Sequence, residues 1–128
     1  MKSLQVILDH YGVKLNTTDQ PTLPSFIDRA DLGLVVPWFQ MEGTEPETLN
    51  EMFPGGPSLH KLINIARRHD SDIYACLKLD PNGEYRIVVA KTWTSSGYTI
   101  LAEHDSFRGF YAEVFADARE WADMLQDR

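Results

Sequence analysis

Three pairs of neighbouring histidine and aspartate residues have the side chains that could hold a metal ion. They are Asp9 with His10, the segment HDSD at 69–72, and His104 with Asp105. A small metal-dependent hydrolase would need several of these ligands to converge on one ion that activates water. The second and third pairs, however, lie in predicted turns beside strands, where aspartate and serine oxygens commonly accept backbone N–H groups. The sequence therefore predicts turns and no metal site, and the hydrolase is kept as the alternative function.

The serine, glycine and cysteine residues that could act in catalysis lack the sequence context that catalysis requires. The segment WTSSGY at 93–98 has two serines, but neither has a glycine two residues before it, as a nucleophile elbow requires. The glycines of PGGP at 54–57 are not followed by the lysine of a phosphate-binding loop. Cys76, the single cysteine, lies in an apolar run that predicts a small buried side chain. The sequence thus predicts a non-enzymatic protein with no catalytic residue and no cofactor.

A row of acidic residues follows the C-terminal segment at helical spacing. Glu113, Asp117 and Glu120 stand at positions i, i+4 and i+7, which places three like charges on one face of a helix. Each such pair destabilises an isolated helix by about 0.2 to 0.5 kcal/mol, so the row adds no local stability. Two interpretations fit the pattern, a solvated face and a docking face for a basic protein partner.

The segment PWFQMEGTEPE, residues 37–47, offers a second candidate contact surface. Trp38 and Phe39 could form the aromatic centre of a protein-protein interface, with Glu42 as an acid at its rim. The same aromatic side chains could instead complete the hydrophobic core. The predicted partner-binding residues are therefore Glu113, Asp117 and Glu120 on the helix, and Trp38, Phe39 and Glu42 in this segment.

Composition restricts the class of partner. The 128 residues carry 12 Lys and Arg against 19 Asp and Glu, a formal net charge of -7 at pH 7. This charge repels phosphate backbones and anionic membranes, and it leaves a basic protein as the favoured partner. No apolar run approaches the roughly 20 residues of a membrane span, and the N-terminal run is too short for a signal peptide, which predicts a cytoplasmic location. The sequence leaves the oligomeric state open.

The first half of the chain predicts short elements joined by turn-rich connectors. The segment SLQVILDHY predicts a helix that Ser3 caps and Gly12 ends. Residues 32–41 predict a buried strand that is stopped or bent at Pro37, which cannot donate to a central ladder. The segment EPETLNEMF then predicts a helical turn or two, which the prolines and glycines of PGGP end.

The second half predicts an antiparallel meander. Four β-rich runs separated by turn residues extend from residue 59 to residue 104, and the Asn82-Gly83 pair predicts the most regular hairpin. Alternation along the second run predicts one apolar face, formed by Ile73, Ala75, Leu77 and Leu79. A helix should cover this face, because one side of an antiparallel sheet commonly packs on the core.

The last segment predicts a long amphipathic helix that begins near Ser106. Ser106 or Asp105 is the predicted cap of its first turn. Its apolar residues recur at helical spacing and would form one broad stripe against the sheet: Phe107, Phe110, Tyr111, Val114, Phe115, Ala118, Trp121, Ala122 and Leu125. The predicted fold class is α+β, a single domain over residues 1–128. Its curved antiparallel sheet would have about four to six strands, with helices packed on one face and the C-terminal helix covering the sheet.

The order of these features resembles the SUKH superfamily. The resemblance rests on INIARRHDSDIYACLKLDPNGEYRIVVAKTW followed by YTILAEHDSFRGFYAEVF, and the segment LAEHDSFRGFYAEVF at 101–115 matches best. It covers residues 59–125, about half of the chain, and its motifs are architectural. The resemblance implies an α+β domain with a curved antiparallel sheet and no catalytic apparatus. It also implies an immunity protein that binds and neutralises a bacterial toxin, or else a regulatory or scaffold subunit with a cellular partner.

Overall fold

The structure is a computed structural model that describes residues 4–20, 37–40, 48–53, 61–68 and 70–126. Its elements in chain order are helix α1 (Leu4–Tyr11), strand β1 (Trp38–Gln40), helix α2 (Leu49–Met52), strands β2 (Leu62–Arg68), β3 (Ile73–Leu79), β4 (Tyr85–Thr94) and β5 (Gly97–His104), and helix α3 (Phe107–Gln126). The strands form one antiparallel sheet in the order β1-β2-β3-β4-β5, in which the three-residue β1 is added to four long strands. The chain is thus an α+β domain with its C-terminal helix against a meander sheet, which confirms the predicted fold class.

The hairpin between β3 and β4 is the most regular part of the sheet. In its turn, Asp80 O accepts Gly83 N at 3.0 Å, and Asp80 N donates to Glu84 O at 2.8 Å. Gly83 has a φ of 90°, a value that residues with a Cβ rarely adopt. The two strands pair along their length without a register shift, whereas the β2–β3 and β4–β5 pairs contain shifts. The predicted Asn82-Gly83 hairpin is confirmed.

One face of the sheet packs against α1 and α3. The buried sheet residues on this face include Ala75, Leu77, Ile87 and Val89. Ile73 and Leu79 are partly buried against the same cluster, which confirms the predicted apolar face of β3. Burial of one large aliphatic or aromatic side chain contributes about 1.5 to 3 kcal/mol. The cluster therefore anchors the start of α3 firmly on the sheet.

The opposite face of the sheet is buried as well. Its cluster combines residues of the sheet with one residue of α2: Leu49, Leu62, Tyr74, Cys76, Val88, Ala90 and Tyr98. Cys76 is fully buried there, as predicted, and its Sγ donates to Asn64 Oδ1 at 3.3 Å. Burial raises the pKa of the Cys76 thiol, so the thiol stays protonated and unreactive near neutral pH. The central strands thus contribute both of their faces to the core, and the prediction that helices pack on one face holds for α1 and α3 but not for the short α2.

The first half of the chain agrees with its predicted elements wherever it is described. Gly12 ends α1 with a φ of 63°, the left-handed conformation that favours glycine after a helix. Helix α2 begins after Thr48, whose Oγ1 accepts Glu51 N at 3.1 Å. The predicted strand at 32–41 is described only as β1, and the predicted cap Ser3 and the PGGP segment lie outside the described residues.

The apolar stripe of α3 is buried only along the first part of the helix. The residues buried on α3 are Phe107, Phe110, Tyr111 and Val114. Further along, Phe115 and Leu125 are 50% and 52% exposed, so the prediction of one continuous stripe against the sheet is wrong for the second half. The reason is length, because a helix of 20 residues runs about 30 Å. Five strands spaced about 4.8 Å apart span only about 20 Å, so a helix that crosses them extends beyond the sheet.

Candidate docking surface on the C-terminal helix

The first turn of α3 is held by a carboxylate from the N-terminal segment. Asp19 is fully buried, and its Oδ2 accepts Phe107 N at 2.9 Å while its Oδ1 accepts Arg108 N at 3.0 Å. The hydroxyl of Tyr85 also donates to Asp19 Oδ2. A carboxylate is favourable at this place because the unpaired N–H groups and the helix dipole both present positive charge. Asp19 therefore fixes where α3 begins and how it leaves the sheet.

The cap predicted from the sequence is present beside this carboxylate. Ser106 Oγ accepts Gly109 N at 3.0 Å, so the first three N–H groups of α3 all have side-chain acceptors. The alternative cap, Asp105, is exposed and lies 3.7 Å from Arg86 Nε instead. The sequence does not predict Asp19 as a cap, since it stands 88 residues before the helix and no local pattern marks so distant a partner.

The acid nearest the sheet, Glu113, is paired with a histidine. Its Oε1 lies 2.7 Å from Nε2 of His104, the last residue of β5, and both side chains are partly buried. The contact is an ion pair when the imidazole is protonated, and a hydrogen bond when Nε2 carries the proton of the neutral ring. Glu113 therefore already has a partner within the domain, and His104 has a structural role in this pair.

The second acid, Asp117, joins α3 to the edge strand β1. Its Oδ2 accepts the indole Nε1 of Trp38 at 2.9 Å and lies 3.4 Å from Arg68 Nη1. Trp38 is 1% exposed, and its ring packs edge-on against Phe110 with centroids 5.4 Å apart. Trp38 is therefore a core residue whose ring does not face solvent, which corrects the prediction that it forms the centre of a contact surface.

The other three predicted contact residues differ in how much of their position the structure describes. Glu120 is exposed on α3. Phe39 lies in β1, but the position of its side chain is outside what the structure describes. Glu42 lies outside the described residues. The partner-binding role of all three stays a prediction, and Glu120 is the one that the structure places on the surface.

Arg68 offsets part of the negative charge of this row of acids. The side-chain hydrogen bonds that Arg68 donates to Asp70, followed by the charges of Asp70, Asp117 and Glu120, raise the pKa of the Arg68 guanidinium despite its partial burial. Arg68 therefore remains charged and offsets part of the repulsion along the helix. The structure brings Glu113, Asp117 and Glu120 to one face as predicted, with two of them in contacts inside the domain.

Beyond Asp117 the same face of α3 becomes apolar. Met124 continues the row of acids at the next helical position, and Trp121 and Leu125 lie beside it at helical spacing. Met124 and Leu125 are half exposed, Glu120 is exposed and Trp121 is partly buried. These four residues, Glu120, Trp121, Met124 and Leu125, form the distal surface of α3. It combines a tryptophan, two exposed flexible apolar side chains and an acid, as the centre and rim of a small protein interface do.

The described members of the three histidine-aspartate segments lie on α1, at the end of β5 or in turns. Asp9 and His10 are exposed on α1. Asp72 O accepts both Thr92 N at 2.7 Å and Thr92 Oγ1 at 2.9 Å, which holds the turn before β3 against β4. Within the described part of the chain, no three His, Cys, Asp or Glu side chains are grouped as metal ligands. His69, the first residue of the HDSD segment, lies outside that part.

A groove of about 470 Å³ lies beside the Asp19 cap. Lys14, Asn16, Tyr85 and Arg86 are among the residues that line it. Tyr85 is the residue there with a hydroxyl that could transfer a proton. Burial, followed by the hydrogen bond to Asp19, raises the pKa of Tyr85, so its hydroxyl stays protonated near neutral pH. The Tyr85 hydroxyl thus helps to hold the Asp19 carboxylate in its capping position.

An exposed aromatic residue that no sequence motif marks lies at the end of the β4–β5 hairpin. Trp93 is 71% exposed, and its φ of 61° is a left-handed value that bulky residues rarely adopt. Its ring packs edge-on against Phe53 with centroids 5.0 Å apart. Gly97 approaches the same side chain so closely that an added Cβ would lie 3.2 Å from Phe53 Cβ. The WTSSGY segment is thus a hairpin end, as predicted, and Trp93 is a strained surface residue within it.

Comparison of the chain with protein-family models, with curated proteins and with solved structures finds no match. None of the helices in the described ranges has the length and apolar character needed to cross a membrane.

Proposed function

We propose that the chain is a non-enzymatic protein-binding domain whose distal surface docks a basic protein, and that this protein is a bacterial toxin which the chain neutralises. The observation that carries the proposal is the distal surface, where Trp121, Met124 and Leu125 lie beside the exposed Glu120. Covering apolar surface of this kind contributes about 25 cal/mol per Å². Tryptophan is also among the residue types most enriched at the centres of interfaces.

The rigid base of α3 supports a docking role. Asp19 and Ser106 hold its first turn, and Phe110 and Val114 are buried against the sheet. The second half of the helix thus projects from a fixed start. A surface that is already ordered loses less conformational entropy on binding than a flexible one does, so more of the contact energy appears as affinity.

Charge supports a basic partner. The net charge of -7 attracts basic proteins from a distance and repels nucleic acids and anionic membranes. Glu120 lies within the distal surface, and Asp117 and Glu113 follow it toward the sheet on the same face. The two inner acids contribute to this field even though they have partners inside the domain, because pairing screens a charge without removing its long-range field entirely.

The toxin is supported by the resemblance of residues 59–125 to the SUKH superfamily, many members of which look like immunity proteins. An acidic inhibitor matches a toxin whose active-site cleft is basic, since the charges of the two surfaces are then complementary. A regulatory or scaffold subunit would use the same surface for a cellular partner. Toxin neutralisation and the regulatory or scaffold role differ only in the identity of the partner. A cytoplasmic location is part of the proposal in both cases.

The proposal is tested by a rescue assay in cells that produce the protein encoded by the gene next to that of this chain. The wild-type chain should restore growth, and the double variant Trp121→Ala, Leu125→Ser should not, because it removes the apolar centre of the distal surface. Phe115→Ser is the control, since Phe115 is about as exposed as Leu125 and lies on the opposite flank of α3, and this variant should still rescue. Rescue by the double variant, or a neighbouring gene product without toxicity, would contradict the proposal.

A further inference from the structure

The sheet edge formed by β5 has a composition that is unusual for an exposed edge. Strand β5 pairs with β4 on one side, and no strand in the described part of the chain pairs with its other side. Between Lys91 and Glu103 the sequence has no charged residue, no histidine and no proline. Natural edge strands usually carry charges, prolines or bulges that hinder another strand from pairing with them. The centre of β5 has no charge and no proline, and a bulge at Leu101 interrupts it.

The side chains at the centre of β5 are apolar and exposed. Ile100 lies opposite Ala90 and Ala102 lies opposite Val89, so Leu101 is the extra residue of a β-bulge. Ile100 and Leu101 both face solvent. Two neighbouring apolar side chains are therefore exposed on an edge whose backbone N–H and C=O groups can pair with a further strand.

We infer that two copies of this chain associate through antiparallel pairing of their β5 edges. An antiparallel pair of identical strands has a two-fold axis perpendicular to the sheet, so each residue meets the residue that the axis relates to it. With the axis at Ile100, the two copies of Ile100 meet, Thr99 meets Leu101, and Gly97 meets Glu103. No residue then lies opposite a like charge. The two sheets join into one continuous sheet.

A second copy of the chain fits this edge better than a basic protein does. Two molecules that each carry a net charge of -7 repel each other wherever their acids come close. The uncharged stretch from 92 to 102 is where two copies can approach without opposing like charges. A basic protein, by contrast, finds no charge there to attract it. The edge therefore differs in its partner from the distal surface of α3, and neither inference depends on the other.

The expected association is weak and reversible. The six residues at 97–102 span about 20 Å when extended, and their pairing buries less than the roughly 1,200 to 2,000 Å² of a stable interface. We therefore expect monomers in dilute solution and dimers at micromolar to millimolar concentration. Helix α3 packs against β4 and β5, and the two-fold axis is perpendicular to the sheet. The dimer would thus present both distal surfaces on the same face.

Sedimentation equilibrium of the wild-type chain over a wide range of concentrations tests the dimer directly. The average mass should rise from that of a monomer toward twice that value. Ile100→Lys should weaken dimerisation by about tenfold or more, because it places two lysines face to face at the axis. Leu101→Lys should act in the same direction, and Met124→Lys, the matched change on α3, should leave dimerisation unchanged. A monomer at every concentration, or a dimer that tolerates both β5 variants, would overturn the inference.

The register is tested by disulfide formation. Directly opposite residues of an antiparallel pair have Cα atoms about 4.5 to 5.5 Å apart, a distance that a disulfide can bridge. Ile100→Cys should therefore form a covalent dimer under mild oxidation, and Glu84→Cys, in the β3–β4 turn, should not. The native Cys76 is buried and does not compete. A dimer that fails to cross-link at Ile100, or one that cross-links equally at both positions, would overturn the proposed pairing.

Discussion

Asp19 and Phe107 are 88 residues apart in the chain, yet the carboxylate of the first accepts the backbone N–H of the second at 2.9 Å. The same buried carboxylate accepts Arg108 N and the hydroxyl of Tyr85. The contact ties the N-terminal segment to the helix that carries the distal surface. Without the carboxylate, these buried donors would have to find other acceptors or remain unpaired, which is costly away from water.

We expect Asp19→Ala to lower the free energy of unfolding by about 2 to 3 kcal/mol. The variant loses a helix cap, and the buried donors that Asp19 accepts are left without an acceptor. Urea denaturation followed by circular dichroism measures the change. Asp105→Ala removes an exposed acid from the same end of α3 and should cost less than about 0.5 kcal/mol. Equal losses in the two variants would show that Asp19 does not act as the cap.

The Tyr85 hydroxyl should make the domain less stable at alkaline pH. Burial, and then the hydrogen bond to Asp19, raises the pKa of Tyr85 in the folded chain above its ordinary value of about 10. The stability that this hydroxyl contributes is therefore complete below about pH 10 and is lost as the pH rises above that value. Tyr111, whose pKa burial also raises, contributes in the same direction.

Tyr85→Phe tests this pH dependence. It should lower the free energy of unfolding by about 1 to 2 kcal/mol at neutral pH, because the hydrogen bond that the hydroxyl donates to Asp19 and the one that it accepts from Asn16 N are both lost. It should also make the alkaline decline shallower than in the wild type. Denaturation at neutral and alkaline pH measures both effects, and the ultraviolet absorbance of tyrosinate reports the ionisation. An equally steep decline in the variant would assign the alkaline loss to other groups.

Two acids of α3 should differ in their effect on stability. The like-charge spacing of Glu113, Asp117 and Glu120 by itself predicts that neutralising these acids leaves the folded state intact or slightly more stable. Asp117→Ala should nevertheless lower the free energy of unfolding by about 1 to 2 kcal/mol, because it leaves the buried indole N–H of Trp38 without its acceptor. Glu120→Ala should change it by less than about 0.5 kcal/mol. Thermal denaturation of the two variants decides, and a larger loss at Glu120 would be inconsistent with the Trp38 contact.

Glycine in a strand usually gives a less stable protein than alanine does, and the left-handed backbone at Trp93 should reverse this order. Trp93→Ala keeps the unfavourable φ and loses the ring contact with Phe53, so we expect a loss of about 1 to 2 kcal/mol. Trp93→Gly loses the same contact but adopts this φ freely, and it should be about 1 kcal/mol more stable than the alanine variant. Denaturation curves of both variants give the order. If alanine proves the more stable, Trp93 does not hold this conformation in solution.

Glu120 should affect the rate at which a basic partner binds. Glu120→Gln should lower the association rate constant by about threefold at low ionic strength and weaken its dependence on salt, while dissociation changes less. Glu84→Gln makes the same change in net charge within the β3–β4 turn and should have a smaller effect. Stopped-flow mixing at two ionic strengths, with the toxin identified by the rescue assay, measures the rates. Unchanged rates for Glu120→Gln would indicate that the acids of α3 form a solvated face and do not steer a partner.

Features with a local cause could be predicted from the sequence. Asn82 and Gly83 define a turn by their own backbone preferences, and the alternation from Ile73 to Leu79 reports which face of β3 is apolar. Asp19 and Trp38 instead reach α3 across 88 and 79 residues. No periodicity marks partners at such separations, so the trans cap and the Asp117 contact appear only in the folded chain.

The candidate site could be predicted in part for the same reason. The spacing of Glu113, Asp117 and Glu120 correctly places them on one helix face, but acids look alike in a sequence whether they are paired or exposed. The point at which α3 leaves the core, after Val114, depends on the width of the sheet beneath it. That width is set by the other strands, so the periodicity of the helix carries no information about it.

The order of the strands has a consequence for the path by which the chain folds. Strands β2 to β5 each lie beside their neighbour in sequence, so the sheet can grow by adding one strand at a time through short loops. Closing short loops costs little entropy, and contacts of this kind form fast. The hydrogen bond between Asp19 and Phe107 closes a far longer segment. We therefore expect the N-terminal segment to reach α3 after the hairpins have paired, as a late step that locks a sheet already assembled.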